Sequence, residues 1–235
     1  MTTGIELWRG PSLLDGSPIV VLVTGLDGRS RNPKTGPMAQ AWILAQDKGP
    51  TAALRDGTDK AICGECPLRP SAQGRRCYVQ VQQAPLAVWR AWKRGVYPQV
   101  EFPTLRGRSV RLGAYGDPAA VPVRIWVRLT ETAAGHTGYT HQWRRPDFDA
   151  RLLDLCMASV EGAADVAELR VLHGPARYFR VRPPGEERWL GEMQCPASAE
   201  AGKRLDCATC GACDGGSEGR SVSIAAHGGS ALAHW

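Results

Sequence analysis

The stretch CATCGAC sets Cys207, Cys210 and Cys213 at two-residue intervals, so any fold of this chain must present three thiols on one short loop. Such a run can curl around one face of a [4Fe–4S] cube or fill three corners of a zinc tetrahedron. Either centre needs a fourth ligand. Cys195, in MQCPAS, is the natural candidate, because the ferredoxin position for a further cysteine is Ser217 here. The spacing predicts a [4Fe–4S] cluster on Cys195, Cys207, Cys210 and Cys213, with Zn2+ as the alternative. Three of these cysteines with His227 would be a further zinc arrangement.

A second group lies in ICGECPLRPSAQGRRCYV, where Cys63, Cys66 and Cys77 lack a local fourth partner. Cys156 could reach them through the fold, and so could His141. The expectation is a second metal centre on Cys63, Cys66, Cys77 and Cys156, or a three-cysteine cluster with one iron open to substrate. Seven of the eight cysteines fall in two clusters and Cys156 stands alone, a spacing that points to metal rather than disulfides in a reducing compartment. The start, MTTGIELWRG, lacks a basic region followed by an apolar run, and no segment approaches the roughly 20 apolar residues of a membrane span. The expected setting is therefore cytoplasmic, with no membrane partner.

The chain is expected to form a single α/β domain over 1–235, with a cysteine-rich insertion at 60–80 and a C-terminal metal-binding segment at 190–235. PIVVLVTG (18–25) is a β-branched apolar run that suits a buried strand, and MAQAWILAQ (38–46) fits a strand or a short helix. TAALRDG (51–57) and PLAVWRAWKRG (85–95) read as helices closed by glycine. SVRLGAYGDP (109–118), GYTHQW (138–143), LLDLCMASV (152–160), RYFRV (177–181), LGEMQC (190–195) and VSIAAHG (222–228) read as strands, while VPVRIWVRL (121–129) suits either state. Several of these runs end on a polar or sulfur-bearing residue: Asp117, His141, Cys195, His227. Strands of an α/β barrel or open parallel sheet place such residues at the active mouth. The fold expected is α/β, an irregular or incomplete barrel-like domain carrying the cysteine-rich segments. Another α/β sheet and an α+β arrangement are the alternatives.

Candidate chemistry falls on Asp117 and His141. Asp117, in a Gly-Asp-Pro turn, would serve as nucleophile or general base, or simply shape the turn. His141 can move protons near neutrality or ligate a metal. Glu161 is a second carboxylate candidate. With 29 Lys and Arg against 23 Asp and Glu, the net charge of +6 modestly favours a polyanionic partner. Arg31, Lys34, Arg90, Arg94, Arg144 and Arg145 are the candidate phosphate contacts. Trp89 and Trp92 would stack on bases if exposed, and pack inward otherwise.

The segments CGECP, CYVQVQQAPLAVW, LGAYGDPAAVP, GYTHQW and CPASAEAGKR…CATCGAC together resemble cysteine-rich proteins of unassigned function carried by bacteriophages and mobile elements. That resemblance covers most of the chain and implies a setting of DNA modification, replication or host takeover, inside a host cell. The C-x3-C-x2-C motif of radical S-adenosylmethionine enzymes is absent. The leading expectation is an iron–sulfur nucleic-acid-processing enzyme that modifies or exchanges a base in DNA or RNA. A noncatalytic DNA-binding or regulatory protein stabilised by zinc or a cluster is the alternative, and a redox sensor is a third reading.

Overall fold

Ile19 to Val23 are wholly buried on both faces of their strand, which is why this segment reads as a continuous apolar run rather than an alternating one. Each such side chain removed from water contributes about 1.5–3 kcal/mol. The strand, β2 (Pro18–Thr24), lies between β1 (Gly4–Pro11) and β3 (Ala39–Ala45), antiparallel to both. The computed structural model describes residues 3–28, 33–69, 77–101, 103–105, 107–202 and 205–226. Arg31 and His227 lie outside the described residues.

The direction changes at β3. It runs parallel to β4 (Ser109–Tyr115), which runs parallel to β5 (Gly135–Thr137), completing a five-stranded sheet in the order β1-β2-β3-β4-β5. Gly138 then separates β5 from β6 (Tyr139–Thr140), the first strand of a second sheet. That sheet is parallel throughout and adds β7 (Met157–Val160), β8 (Tyr178–Arg182), β9 (Met193–Gln194) and β10 (Val222–Ala225), in the order β6-β7-β8-β10-β9. The chain is thus a mixed α/β domain with two multi-stranded sheets.

Parallel neighbours need crossovers, and helices supply them. Between β3 and β4 come α1 (Pro50–Asp56), α2 (Lys60–Cys63) and α3 (Ala84–Lys93). Proline opens α1 and Gly57, at φ 80°, closes it. α4 (Val123–Glu131) links β4 to β5, and its buried stripe is Val123, Trp126 and Leu129, three residues apart. α5 (Ala163–His173) links β7 to β8, and α6 (Cys207–Cys210) is a single turn in the late cysteine segment. Among the described residues no helix is long and apolar enough to cross a membrane.

Several segments differ from expectation in instructive ways. The run 121–129 gives a helix that starts at Val123 and extends to Glu131, since the three-residue spacing of Val123, Trp126 and Leu129 outweighs their β-branched neighbours. The run 138–143 gives only two strand residues before Gln142–Arg144 tightens into a 3₁₀ helix. Likewise, Ala150–Asp154 is a 3₁₀ helix capped by the Asp149 carboxylate, and only Met157–Val160 is extended. β1 is a strand that GIELWRGP did not announce, because Glu6 faces inward: its carboxylate is buried and takes hydrogen bonds from Arg9 (2.5 Å) and the Trp92 indole (2.6 Å).

One buried ion pair fastens the approach to Cys195. Arg180 on β8 grips Glu192 through two bonds of 2.8 and 2.9 Å, with both side chains fully buried, while Glu186 takes a further guanidinium nitrogen and Trp189 stacks on it at 3.5 Å. Replacing Arg180 with leucine strands the Glu192 carboxylate and is expected to cost about 3–5 kcal/mol. Urea unfolding of the variant reads this, and an unchanged midpoint would show that the clamp adds nothing.

Candidate functional site

A cavity of about 430 Å³ opens at the carboxyl ends of the parallel strands, where β4, β6, β7, β9 and β10 deliver their terminal residues. Seven of the eight cysteines line it: Cys63, Cys66 and Cys77, and Cys195, Cys207, Cys210 and Cys213. Asp117, Tyr139, His141 and Glu161 share the same walls, with Arg111 and Lys34 supplying positive charge. A bulge in β4 helps to shape the space. Its pairing with β3 skips between Arg111 and Tyr115, which turns Gly113 and Ala114 toward the cavity.

The Cys63–Cys66 loop is held from two sides. Arg69 bonds the buried Asp59 carboxylate at 2.5 and 3.1 Å and reaches the carbonyls of Gly57 and Gly64. From the second sheet, the buried Gln142 donates to the Cys63 carbonyl (3.0 Å) and accepts from the Glu65 amide (3.3 Å). Gly64 sits at φ 53° and ψ −133°, a region essentially closed to other residues, and a Cβ there would lie 2.2 Å from Gln142 Oε1.

His141 joins the two halves of this wall. Its Nδ1 lies 3.3 Å from Cys66 Sγ and its Nε2 lies 3.0 Å from Glu161 Oε1. Burial alone would lower its pKa, but the Cys66 sulfur and the Glu161 carboxylate outweigh that and push it up to about 10. Among the described residues, buried Glu161 Oε2 has no hydrogen-bond partner. Asp117 is buried as well, which raises its pKa despite the amides that bond it. One oxygen accepts from Ala119 N (3.0 Å) and the other from His141 N (2.8 Å), so the carboxylate caps the Pro118–Ala120 turn and pins the histidine backbone.

The late group is assembled by backbone contacts. Asp206 caps α6 through Thr209 N (2.7 Å), and Cys207 N donates to the Lys34 carbonyl (2.8 Å). Gly138 N donates to the Cys213 carbonyl (3.1 Å), and Cys195 N to Ser223 O (2.8 Å). Cys195 and Cys213 pack with Met157, Val222 and Ile224, while Cys207 and Cys210 are half-buried. Burial raises the Cys195 and Cys207 thiols and pushes Cys213 up to about 12, although a hydrogen bond with the Tyr139 hydroxyl works against the last shift. Across the cavity burial drives Cys63 well up and Cys77 up to about 11, and the neighbouring sulfurs add to both shifts. Thiols in this condition become ligands when a cation displaces their protons. Among the described residues, no three His, Cys, Asp or Glu side chains stand close enough together to hold a single metal ion. A cubane asks for less convergence, because each thiolate bonds a different iron.

The remaining candidates are scattered. Cys156 is fully buried behind Gly138, where a Cβ would meet its sulfur at 2.4 Å, and it does not line the cavity. Arg144 bonds Asp165 (2.6 Å) and Glu168 (2.7 Å) and lies over Trp143, and Arg145 pairs with Asp147 at 2.9 Å. Arg90 and Arg94 are exposed on α3. Trp89 and Trp92 are half-buried on that helix, with their indoles bonded to the Ala45 carbonyl and to Glu6, so they pack inward. Arg111, Tyr78 and Gln142 escaped selection from the sequence. The alternating pattern of β4 around Arg111 was the signal available for the first, and Tyr78 adjoins Cys77.

No family model, curated protein sequence or solved structure matches the chain. The grip of Gln142 on the early loop is open to test. Gly64→Ala is expected to destabilise the protein by about 1–3 kcal/mol and to speed hydrogen exchange at residues 60–69. Adding Gln142→Ala removes the obstructing amide, so the double variant should lose less than the two single losses combined. Simple additivity would show that the contact does not shape the loop.

Proposed function

We propose that this chain is an iron–sulfur enzyme that processes a nucleotide of DNA or RNA, with the two sheets acting as an incomplete α/β barrel around its active mouth. The observation that carries the reading is the gathering of seven cysteines, a histidine and two carboxylates at the carboxyl ends of parallel strands. Cys195, Cys207, Cys210 and Cys213 are the residues that would hold a [4Fe–4S] cluster, one thiolate to each iron. A cluster bound there supplies one-electron chemistry. Tyr139, hydrogen-bonded to Cys213, tunes the basicity of that sulfur, because hydrogen bonds to ligand sulfur shift a cluster's potential.

The chain's own groups then divide the remaining work. His141 holds a proton between Cys66 and Glu161 at the cavity wall and is the general acid or base. Glu161 orients the ring. Asp117 acts by position, because both of its oxygens are already engaged by amides. A cavity of about 430 Å³ falls in the range of small-molecule sites and suits one extruded nucleotide rather than a duplex. Tyr78, Tyr139 and Phe179 line it and offer aromatic faces to a base. Outside, Arg90 and Arg94 are exposed for phosphate contact, whereas Arg144 and Arg145 are committed to internal carboxylates.

Anaerobic purification should give brown protein containing iron and sulfide, and total DNA and RNA from cells expressing it should carry an altered nucleoside that disappears with His141→Ala. Colourless protein with stoichiometric zinc, together with unchanged nucleoside composition, would instead establish the noncatalytic reading. In the Asp117→Asn variant the turnover rate should fall at least about tenfold while nucleic-acid affinity is retained, the pattern of a misplaced acid–base group. Equal losses of affinity and rate would remove Asp117 from the catalytic arrangement.

A further inference from the structure

The two thiol groups that face each other across the cavity are not equivalent. All eight cysteines lie among the described residues, and four of them form the late group. Cys156 is sealed behind Gly138 and does not line the cavity. Three remain for the early group: Cys63, Cys66 and Cys77, all on the cavity wall.

His141 and Asp117 are poorly placed to complete that set, which leaves Glu161, whose Oε2 is buried without a partner among the described residues, as the side chain to be separated from an open iron. His141 has both ring nitrogens engaged, one by Cys66 and one by Glu161. The separation of 3.3 Å between Cys66 Sγ and His141 Nδ1 is also that of a hydrogen bond, shorter than two corners of a cubane would allow. Both Asp117 oxygens are held by amides. Meanwhile Arg111, on β4, lines the same cavity with a buried Nε that has no partner among the described residues, and one terminal nitrogen donates to the Tyr78 hydroxyl at 2.7 Å.

We infer that Cys63, Cys66 and Cys77 hold a second [4Fe–4S] cluster through three thiolates, leaving its fourth iron open to the cavity for a small anionic ligand recognised by Arg111. His141 is a positioning group for this centre, bonding the Cys66 sulfur rather than an iron. The assignment concerns the early cysteines alone and stands independently of the late centre and of nucleic acid as substrate.

Iron, sulfide and electron paramagnetic resonance on anaerobically prepared full-length protein test it, with cyanide as the probe ligand. Wild type should carry about eight irons per chain, two cubanes' worth. The Cys63→Ala/Cys66→Ala/Cys77→Ala variant and the Cys207→Ala/Cys210→Ala variant should each retain about half. Cys156→Ala, His141→Ala and Glu161→Ala should retain all of it. Cyanide should shift the signal of one reduced centre in wild type and in the Cys207→Ala/Cys210→Ala variant, and of none in the triple variant. Arg111→Gln should keep its iron but need about tenfold more cyanide for half-saturation, the loss expected for a charge-assisted hydrogen bond. Loss of half the iron in Cys156→Ala, His141→Ala or Glu161→Ala would overturn the inference by revealing an internal fourth ligand. A triple variant with undiminished iron, or a wild-type signal indifferent to cyanide, would do so as well. Failure of the late centre would appear separately, as a Cys207→Ala/Cys210→Ala variant that loses nothing.

Discussion

Burial sets the electrostatic terms of this molecule's cavity. A thiol taken out of water keeps its proton because the charged form loses hydration, and several thiols in one space add mutual repulsion to that cost. Cys63, Cys77 and Cys213 show both effects, with Arg111 and the Tyr139 hydroxyl as the local counterweights near the late group. Soft metal ions are the species that displace protons from grouped thiols of this kind. The surrounding scaffold can therefore be understood as a means of keeping these groups together while their intrinsic preference is to remain neutral.

The scaffold meets that demand by dividing rigidity from chemistry. β2 and its neighbours form a dry slab of apolar side chains that carries no cavity group, while parallel strands beyond β3 end on reactive residues. Loops at those ends would be loose without further restraint. Arg69 with Asp59, Gln142 with the early loop, and Arg180 with Glu192 supply it, each through buried polar contacts with specific geometry. The same economy explains Asp117 and His141, where one carboxylate fixes a turn and a neighbouring strand end in a single set of bonds.

Much of this was legible in the linear chain, where the relevant signal was local. Glycine-closed helices, the apolar run of β2 and the placement of Asp117, His141 and Cys195 just past strand ends all follow from short-range patterns. The early and late cysteines announced themselves by spacing, though not that they would face one cavity, since residues 66 and 195 meet only through tertiary folding. Inward-facing polar residues were the hardest to read. Glu6 hides β1 by placing a charge in its core face, and Gln142 carries no local sign that its amide will meet a loop 77 residues away. Arg144 and Arg145 read as a basic pair, and one dimension does not show the carboxylates they pair with.

Gly138 sits where one sheet gives way to the other, with its amide on the Cys213 carbonyl, its carbonyl on the Met157 amide and the Cys156 sulfur against its α-carbon. The joint between the sheets and the loop bearing the last cysteine are consequently one mechanical unit. Whatever organises that loop also braces the joint, and whatever frees it removes a stitch from both. A change in the order of the late cysteine loop should thus be felt along this boundary before the apolar slab registers it.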